Sequence, residues 1–344
     1  MTKPPTPAPR FGPDTPALGA PLEIEPGIWW LRFPLPFALD HVNLWALDDG
    51  DGWTLIDTGF GNEATRDLWL ALLDGFLATK PVHRLVVTHF HPDHVGQAGW
   101  LAARTGAEVW MPQTEWLTAR LLFLDDGADA LATAMQFYRQ AGLEPSMLDA
   151  MGREGNVYPR RIVAPPRAFR PLVDGARLVM GQRSWAVRMG RGHAPEQATF
   201  WCEAEALWIA ADQVLPRISP NVAVWPGADR ADPLALFLDS CRTFQALPAT
   251  TRVLPSHDWP FVDLPSRIEA LVRHHDERLD QCLDALRSGG TATAALRRLF
   301  PKVTDTHQLR FALGETLAHL NRLVALGRLA RIDDGDVWHF VEAG

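Results

Sequence analysis

The sequence predicts an α/β protein in which two mixed β-sheets pack face to face between helical layers. This αββα sandwich is followed by a small C-terminal winged-helix domain. Three observations carry the prediction. Strand-like and helix-like stretches alternate over residues 22–112 and again over residues 177–286, as two mixed sheets covered by helices require. A purely helical stretch at residues 113–152 separates the two halves. Residues 288–344 read as two helices and a β-hairpin, the pattern of a winged helix-turn-helix module.

The elements follow in order. Apolar runs at residues 29–31, 42–47 and 53–56 read as short strands, the last two joined by the turn-forming run 48–52. Leu68, Leu72, Leu73 and Phe76 fall on one side of a helix over 62–77. Leu85, Val86 and Val87 form a buried strand that stops at the polar cluster beginning with Thr88. A helix over 94–105 and a strand over 108–110 complete the first half. The insertion at 113–152 shows helical apolar periodicity at Trp116, Leu121, Phe137 and Tyr138. It is too apolar for disorder, and its placement between the halves makes it a candidate lid. Strands resume at 178–180, 185–189, 198–201 and 206–210, then a helix at 232–247 and a strand at 252–254. A long helix runs from Pro265, suited to a first helical turn, to Leu286, where Gly289 and Gly290 stop it. The domains expected are therefore an N-terminal arm over 1–21, a catalytic domain over 22–287 and the winged helix over 288–344.

Composition narrows the function. The arm holds seven prolines and no continuous apolar stretch, so it reads as disordered or extended rather than as a signal peptide. No apolar run approaches the ~20 residues that cross a bilayer. Cys202, Cys241 and Cys282 are far apart and make no CxxC pair, which argues against disulfides and thiolate metal sites and for a cytoplasmic location. The net charge is −8. Residues 288–344 carry seven basic and six acidic side chains, and the chain has three lysines in all. Phosphate contacts dominate nucleic-acid affinity, so this balance weighs against a nucleic-acid partner.

The chemistry concentrates in the run THFHPDHVG at residues 88–96. His89, His91, Asp93 and His94 offer four ligand-capable side chains in six positions directly after a buried strand. Imidazole and carboxylate both suit zinc. His89 and His91 point the same way on an extended chain. Pro92 turns the chain, so Asp93 and His94 face a second point, and one loop can serve two metals. Without a metal, so many buried polar groups would cost several kcal/mol.

This run resembles the HxHxDH signature of the metallo-β-lactamase superfamily. Further features similar to that family follow, each at a strand end: residues 54–59, TLIDTG; Arg191–Gly192–His193; Ala210–Ala211–Asp212; and Pro255–Ser256–His257. The resemblance implies a dinuclear zinc hydrolase, with His89, His91 and His193 on one ion and Asp93, His94 and His257 on the other. It places Asp212 between the two ions and a hydroxide opposite it, makes Asp93 and Asp212 the catalytic carboxylates, and gives Asp57 a hydrogen-bonding role behind the ligands. Flavo-diiron relatives carry glutamate where His91 stands, which favours zinc over iron here. The winged tail adds a resemblance to the β-lactamase-like protein 2 type.

Substrate class is less legible. A roofed site suits a small ester, thioester or lactone. The alternative is a metal-dependent endoribonuclease or phosphodiesterase. Glyoxalase II enzymes end in a different, helical domain, and Gln213 to Leu215 lack the tyrosine many lactonases carry after the bridging aspartate. Trp116, Trp225 and Trp259 are candidate pocket walls, and Ser219 and Asn221 candidate substrate contacts. His274 and His275 read as a solvated helix face, and His83, His307, His319 and His339 as surface or partly packed. The apolar stripe Leu309, Leu313, Leu317, Leu320 and Leu323 needs a partner, either the catalytic domain or a second chain in a homodimer.

Overall fold

The computed structural model describes residues 6–303 and 305–344. A seven-stranded sheet runs in sequence order: β1 (Leu22–Glu25), β2 (Ile28–Pro34), β3 (His41–Asp48), β4 (Trp53–Ile56), β5 (Val82–Val86), β6 (Glu108–Pro112) and β7 (Arg170–Leu172). The first four strands pair antiparallel and β4 to β7 pair parallel. The second sheet has the order β12-β11-β10-β9-β8, built from β8 (Arg177–Met180), β9 (Arg183–Gly190), β10 (Gln197–Cys202), β11 (Leu207–Ala211) and β12 (Arg252–Pro255).

Alternation along each strand sorts side chains into layers. Ile28 and Trp30 of β2 and Trp45 and Leu47 of β3 face the second sheet, where they meet Trp185, Val187, Phe200 and Ile209. Leu31, Phe33, Val42 and Leu44 point the other way, onto α1 (Glu63–Asp74) and, past the single-turn α2 (Pro92–Val95), onto α3 (Ala98–Thr105), through Trp69, Leu72 and Leu101. Trp208 of β11 points out of the second sheet onto α7 (Pro233–Gln245) and α8 (Leu264–Ala285). Both faces of both sheets are therefore buried. This is the αββα order expected from the sequence.

The insertion comprises α4 (Gln113–Leu124), α5 (Ala128–Gln140) and α6 (Pro145–Glu154). Its first helix lies on the first sheet through Trp116 and Ala119. The other two pack elsewhere. Phe137, Tyr138 and Met151 join the core of the C-terminal unit, where Phe137 meets Trp338 edge-on at 5.6 Å. The expectation that Phe137 roofs the site is thus corrected, because its ring is packed into the core of the C-terminal unit. That unit contains β13 (Gly290–Thr291), α9 (Ala292–Leu299), α10 (Thr306–Ala325), β14 (Leu329–Asp333) and β15 (Trp338–Glu342), its strands in the order β13-β15-β14. The stripe Leu309, Leu313, Leu317, Leu320 and Leu323 is buried in the same core as α7 and α8. Within the N-terminal arm, residues 1–5 lie outside the described residues. Residues 8–11 are fastened by backbone hydrogen bonds to Pro216, Pro260 and Val262, and Trp259 caps this strap by donating to the Ala8 carbonyl at 3.3 Å, so it is not a pocket wall.

Candidate metal centre

Every candidate ligand sits at or just beyond the C-terminal end of a strand, on one rim of the sandwich. Asp57 follows β4, His89 to His94 follow β5, His193 follows β9, Asp212 follows β11 and His257 follows β12. Three non-glycine residues here have positive φ: Asp57 (63°), Ala211 (46°) and Asp258 (62°). Such strain persists only where surroundings over-determine it, and it gathers at functional sites. Gly192, at φ +100°, carries the chain past α7 so closely that a Cβ would stand 2.6 Å from the Phe237 nitrogen.

The structure brings the seven sequence-predicted side chains together. Ligand atoms of His89, His91 and His193 lie within 4.8 Å of one another, as do those of Asp93, His94 and His257, and those of His89, His94 and Asp212. The hydrogen bonds fix which atom of each ring faces inward. His94 Nδ1 donates to Asp57 Oδ2 at 2.8 Å, His193 Nδ1 to the Asn221 carbonyl at 2.8 Å, and His257 Nδ1 to the His41 carbonyl at 2.9 Å. Thr88 Oγ1 donates to Asp57 Oδ2 and therefore accepts from His89 Nδ1, both at 2.9 Å. Each of these four rings thus turns its Nε2 to the centre. His91 is reversed, its Nδ1 facing inward.

This arrangement fits cations. His91 Nδ1 lies 3.0 Å from both His89 Nε2 and His193 Nε2, which are 3.3 Å apart. Three lone pairs converge with their protons directed elsewhere. Nitrogens held at ~2.0–2.1 Å from a tetrahedral zinc stand roughly 3.3 Å apart. In the second group, Asp93 Oδ2 lies 3.6 Å from His94 Nε2 and 3.4 Å from His257 Nε2. Asp212 Oδ2 belongs to both groups, at 3.3 Å from His193 Nε2, 3.5 Å from His94 Nε2 and 3.4 Å from His257 Nε2. His94 Nε2 and Asp212 Oδ1 are buried without a hydrogen-bond partner, which natively calls for an ion or water.

Charge divides the two halves. Burial, reinforced by the neighbouring rings, holds His89 well below the usual imidazole range and His91 down to about 3. Burial also lowers His257 and His94, but Asp212 and Asp93 outweigh it, raising His257 to about 10 and His94 well above its ordinary value. That second half is arranged to hold positive charge, as protons or as a cation.

Supporting residues were not all foreseen. Glu115 of α4 is buried and clamps two ligand loops, accepting from Phe90 N at 3.0 Å and Glu196 N at 2.6 Å. Burial raises its carboxyl to about 7. Tyr158 donates to the Phe90 carbonyl at 2.5 Å. Among the other candidates, Trp116 stacks on Phe169 at 4.5 Å and donates from Nε1 to the Pro166 carbonyl at 2.8 Å. Asn221 serves His193 through its carbonyl. His274 and His275 are buried, correcting the solvated face read for them, and His319 is buried with them.

A sequence model of the metallo-beta-lactamase superfamily matches residues 38–257. The chain belongs to the metallo-beta-lactamase superfamily. A model of the metallo-beta-lactamase-like C-terminal domain matches residues 279–343. A beta-lactamase domain protein from Burkholderia ambifaria is 38% identical, with a TM-score of 0.88 over 96% of each chain. A metallo-beta-lactamase family protein from Thermus thermophilus is 30% identical, with a TM-score of 0.80 over 93% of this chain and 100% of that one. A hydroxyacylglutathione hydrolase from Pseudomonas entomophila is 32% identical over 103 residues, 30% of this chain and 38% of that protein. As a member of the superfamily, the chain is a metal-dependent hydrolase. No helix among the described residues is long and apolar enough to cross a membrane.

Proposed function

We propose that this metallo-beta-lactamase superfamily member is a dinuclear zinc hydrolase of small esters, thioesters or lactones. The observation that carries the reading is the shared Asp212 Oδ2, within 3.5 Å of ring nitrogens from both ligand groups. His89, His91 and His193 would hold one ion and Asp93, His94 and His257 the other, with Asp212 available to both groups. Nitrogen and carboxylate donors without cysteine suit zinc. Bound divalent cations supply Lewis acidity, lowering the pKa of water toward neutrality and polarising a carbonyl oxygen.

The chain's own residues do the rest. Asp57, Thr88 and the Asn221 and His41 carbonyls orient His94, His89, His193 and His257, so that each of these four rings offers its Nε2 to a metal. Asp93 is 20% exposed where Asp212 is 7% exposed, so Asp93 is the carboxylate that exchanges protons with substrate. The hydrolase relative named for a thioester substrate supports the acyl class. We further read α8, β13, α9, α10, β14 and β15 as a winged helix with α8 as its first helix. Its boundary then falls inside α8 rather than at residue 288.

Metal analysis and a substrate panel test this. We expect about two zinc ions per chain and turnover of p-nitrophenyl esters, lactones and acyl-thioesters. A single ion, or turnover of RNA and phosphodiesters in preference to esters, would reject the assignment.

A further inference from the structure

A chain of rings links two segments that hold candidate ligands in place. Phe60 meets Phe37 of the β2–β3 loop edge-on at 5.4 Å. Phe37 stacks on His307 at 4.6 Å. His307 meets Phe311 at 5.0 Å, and Phe311 meets Trp225 at 5.6 Å, both edge-on. The two ends are tied to ligands. Phe60 lies two residues beyond Thr58, whose N and Oγ1 donate to the His94 carbonyl at 2.8 and 2.7 Å. Trp225 lies four residues beyond Asn221, which holds His193. Apart from Phe60, all these rings are partly exposed.

One cation sits in this chain. Arg161, between the insertion and β7, places its guanidinium 5.5 Å over the Phe37 ring and donates from Nη2 to His307 Nδ1 at 3.0 Å. Its neighbour Arg310 has Glu154 at 3.2 Å. Arg161 has no carboxylate within 4.0 Å among the described residues. Glu154, the carboxylate that acts on Arg161 from beyond contact distance, is engaged by Arg310 and by Thr306 Oγ1, which leaves this half-buried guanidinium on its aromatic face free to pair with an anion.

We propose that Phe37, Arg161, Trp225, His307 and Phe311 form a recognition cleft for the non-reacting part of the substrate, a planar apolar body bearing a carboxylate. The rings take the body on their faces, and Arg161 takes the carboxylate. His307, its Nδ1 occupied by Arg161, presents Nε2–H as a second donor. The start of α10 in the C-terminal unit thereby becomes part of the substrate site. This deepens the acyl-hydrolase reading and rests on it for the word substrate.

The test uses the full-length zinc-loaded protein and two readouts. The first is hydrolysis of 4-acetoxybenzoate against phenyl acetate. We expect kcat/KM to favour the carboxylated ester, and Arg161→Gln to cut that preference at least tenfold, mostly through KM, with Arg161→Lys restoring part of it. The second is binding of 2-naphthoate followed by tryptophan fluorescence. We expect salt-sensitive binding weakened tenfold or more by Arg161→Gln and by Trp225→Ala. Naphthoate binding with this dependence, in a protein that turns over no ester, would support the cleft while rejecting the proposed acyl chemistry. Ester hydrolysis with no carboxylate preference, or naphthoate binding indifferent to Arg161, would overturn the cleft. Circular dichroism of each variant separates loss of binding from loss of fold, and a misfolded Arg161→Gln leaves the decision to Arg161→Lys and Trp225→Ala.

Discussion

Removing the Asp57 carboxylate tests how the metal centre is held. Asp57 is 1% exposed. It accepts from Thr88 N at 2.7 Å, Thr88 Oγ1 at 2.9 Å and His94 Nδ1 at 2.8 Å. Hydrogen bonds to a charged acceptor contribute ~1.5–3 kcal/mol each. Asp57→Ala strands at least two buried donors, so it should cost about 3–6 kcal/mol, a large part of a typical domain's stability. Asp57→Asn separates two effects. It keeps the volume and one acceptor, so its stability loss should be smaller, on the order of 2 kcal/mol. Its amide nitrogen, however, faces His94 Nδ1 and moves the ring proton to Nε2, where the cluster needs a lone pair. Losing such an outer partner typically costs ~10–100-fold in metal affinity. Urea unfolding in chelator reports the first effect, and competition with a zinc indicator reports the second. If Asp57→Asn binds metal as tightly as the parent protein, the tautomer reasoning is wrong.

Three further outcomes are expected. Asp212→Ala should lose most of both metals and all turnover, because one oxygen is shared by the two groups; unchanged metal content would show that Asp212 does not bridge. Phe137→Ala should cost ~3–5 kcal/mol without changing KM, since the ring is buried against Trp338; an altered KM in a stable variant would return it to the substrate site. Burial holds His319 neutral and pushes its pKa down to about 3. The unfolded value is ~6.5, so its contribution is present above pH 6.5 and is lost as pH falls toward 3. His319→Gln removes this slope, and its stability relative to the parent protein should improve by about 1.4 kcal/mol between pH 7.5 and 5.5; a constant difference across that range would refute the buried neutral state.

Much of the fold was legible because it rests on local pattern. Trp29 to Leu31 and Val42 to Leu47 are continuous apolar runs, and both faces of β2 and β3 are in fact buried. The run from His89 to His94 declares itself because so many ligand types in one loop have no cheaper explanation. What stayed hidden depends on partners remote in sequence. Glu115 looks like one acidic residue on an amphipathic helix, and nothing nearby says that its oxygens clamp Phe90 and Glu196. His274 and His275 read as solvated because α10, which covers them, begins some thirty positions later. Phe137 announced burial, but periodicity does not say against what.

The C-terminal unit is wired into the metal centre through polar atoms as well as apolar packing. His193 Nδ1 rests on the Asn221 carbonyl, and Asn221 Nδ2 donates to Glu315 Oε2 at 3.3 Å. Glu315 lies on α10 and faces Arg278 of α8 at 3.6 Å. One turn on, His319 Nδ1 donates to the Glu315 carbonyl at 2.8 Å, so its Nε2 accepts from His275 Nδ1 at 3.2 Å. His275 Nε2 is then free to accept from Ser219 Oγ at 3.1 Å, two residues before Asn221. The circuit closes on the segment that orients His193, and its neutral rings have one consistent set of proton positions. A buried network of this kind rigidifies its surroundings when complete and costs heavily when broken. Its effect is to make the position of His193 depend on α10 being docked. The same helix supplies His307 and Phe311 to the ring chain that includes Phe37 and Trp225. The orientation of His193 and the positions of His307 and Phe311 therefore depend on one element, and a shift of α10 should move both together.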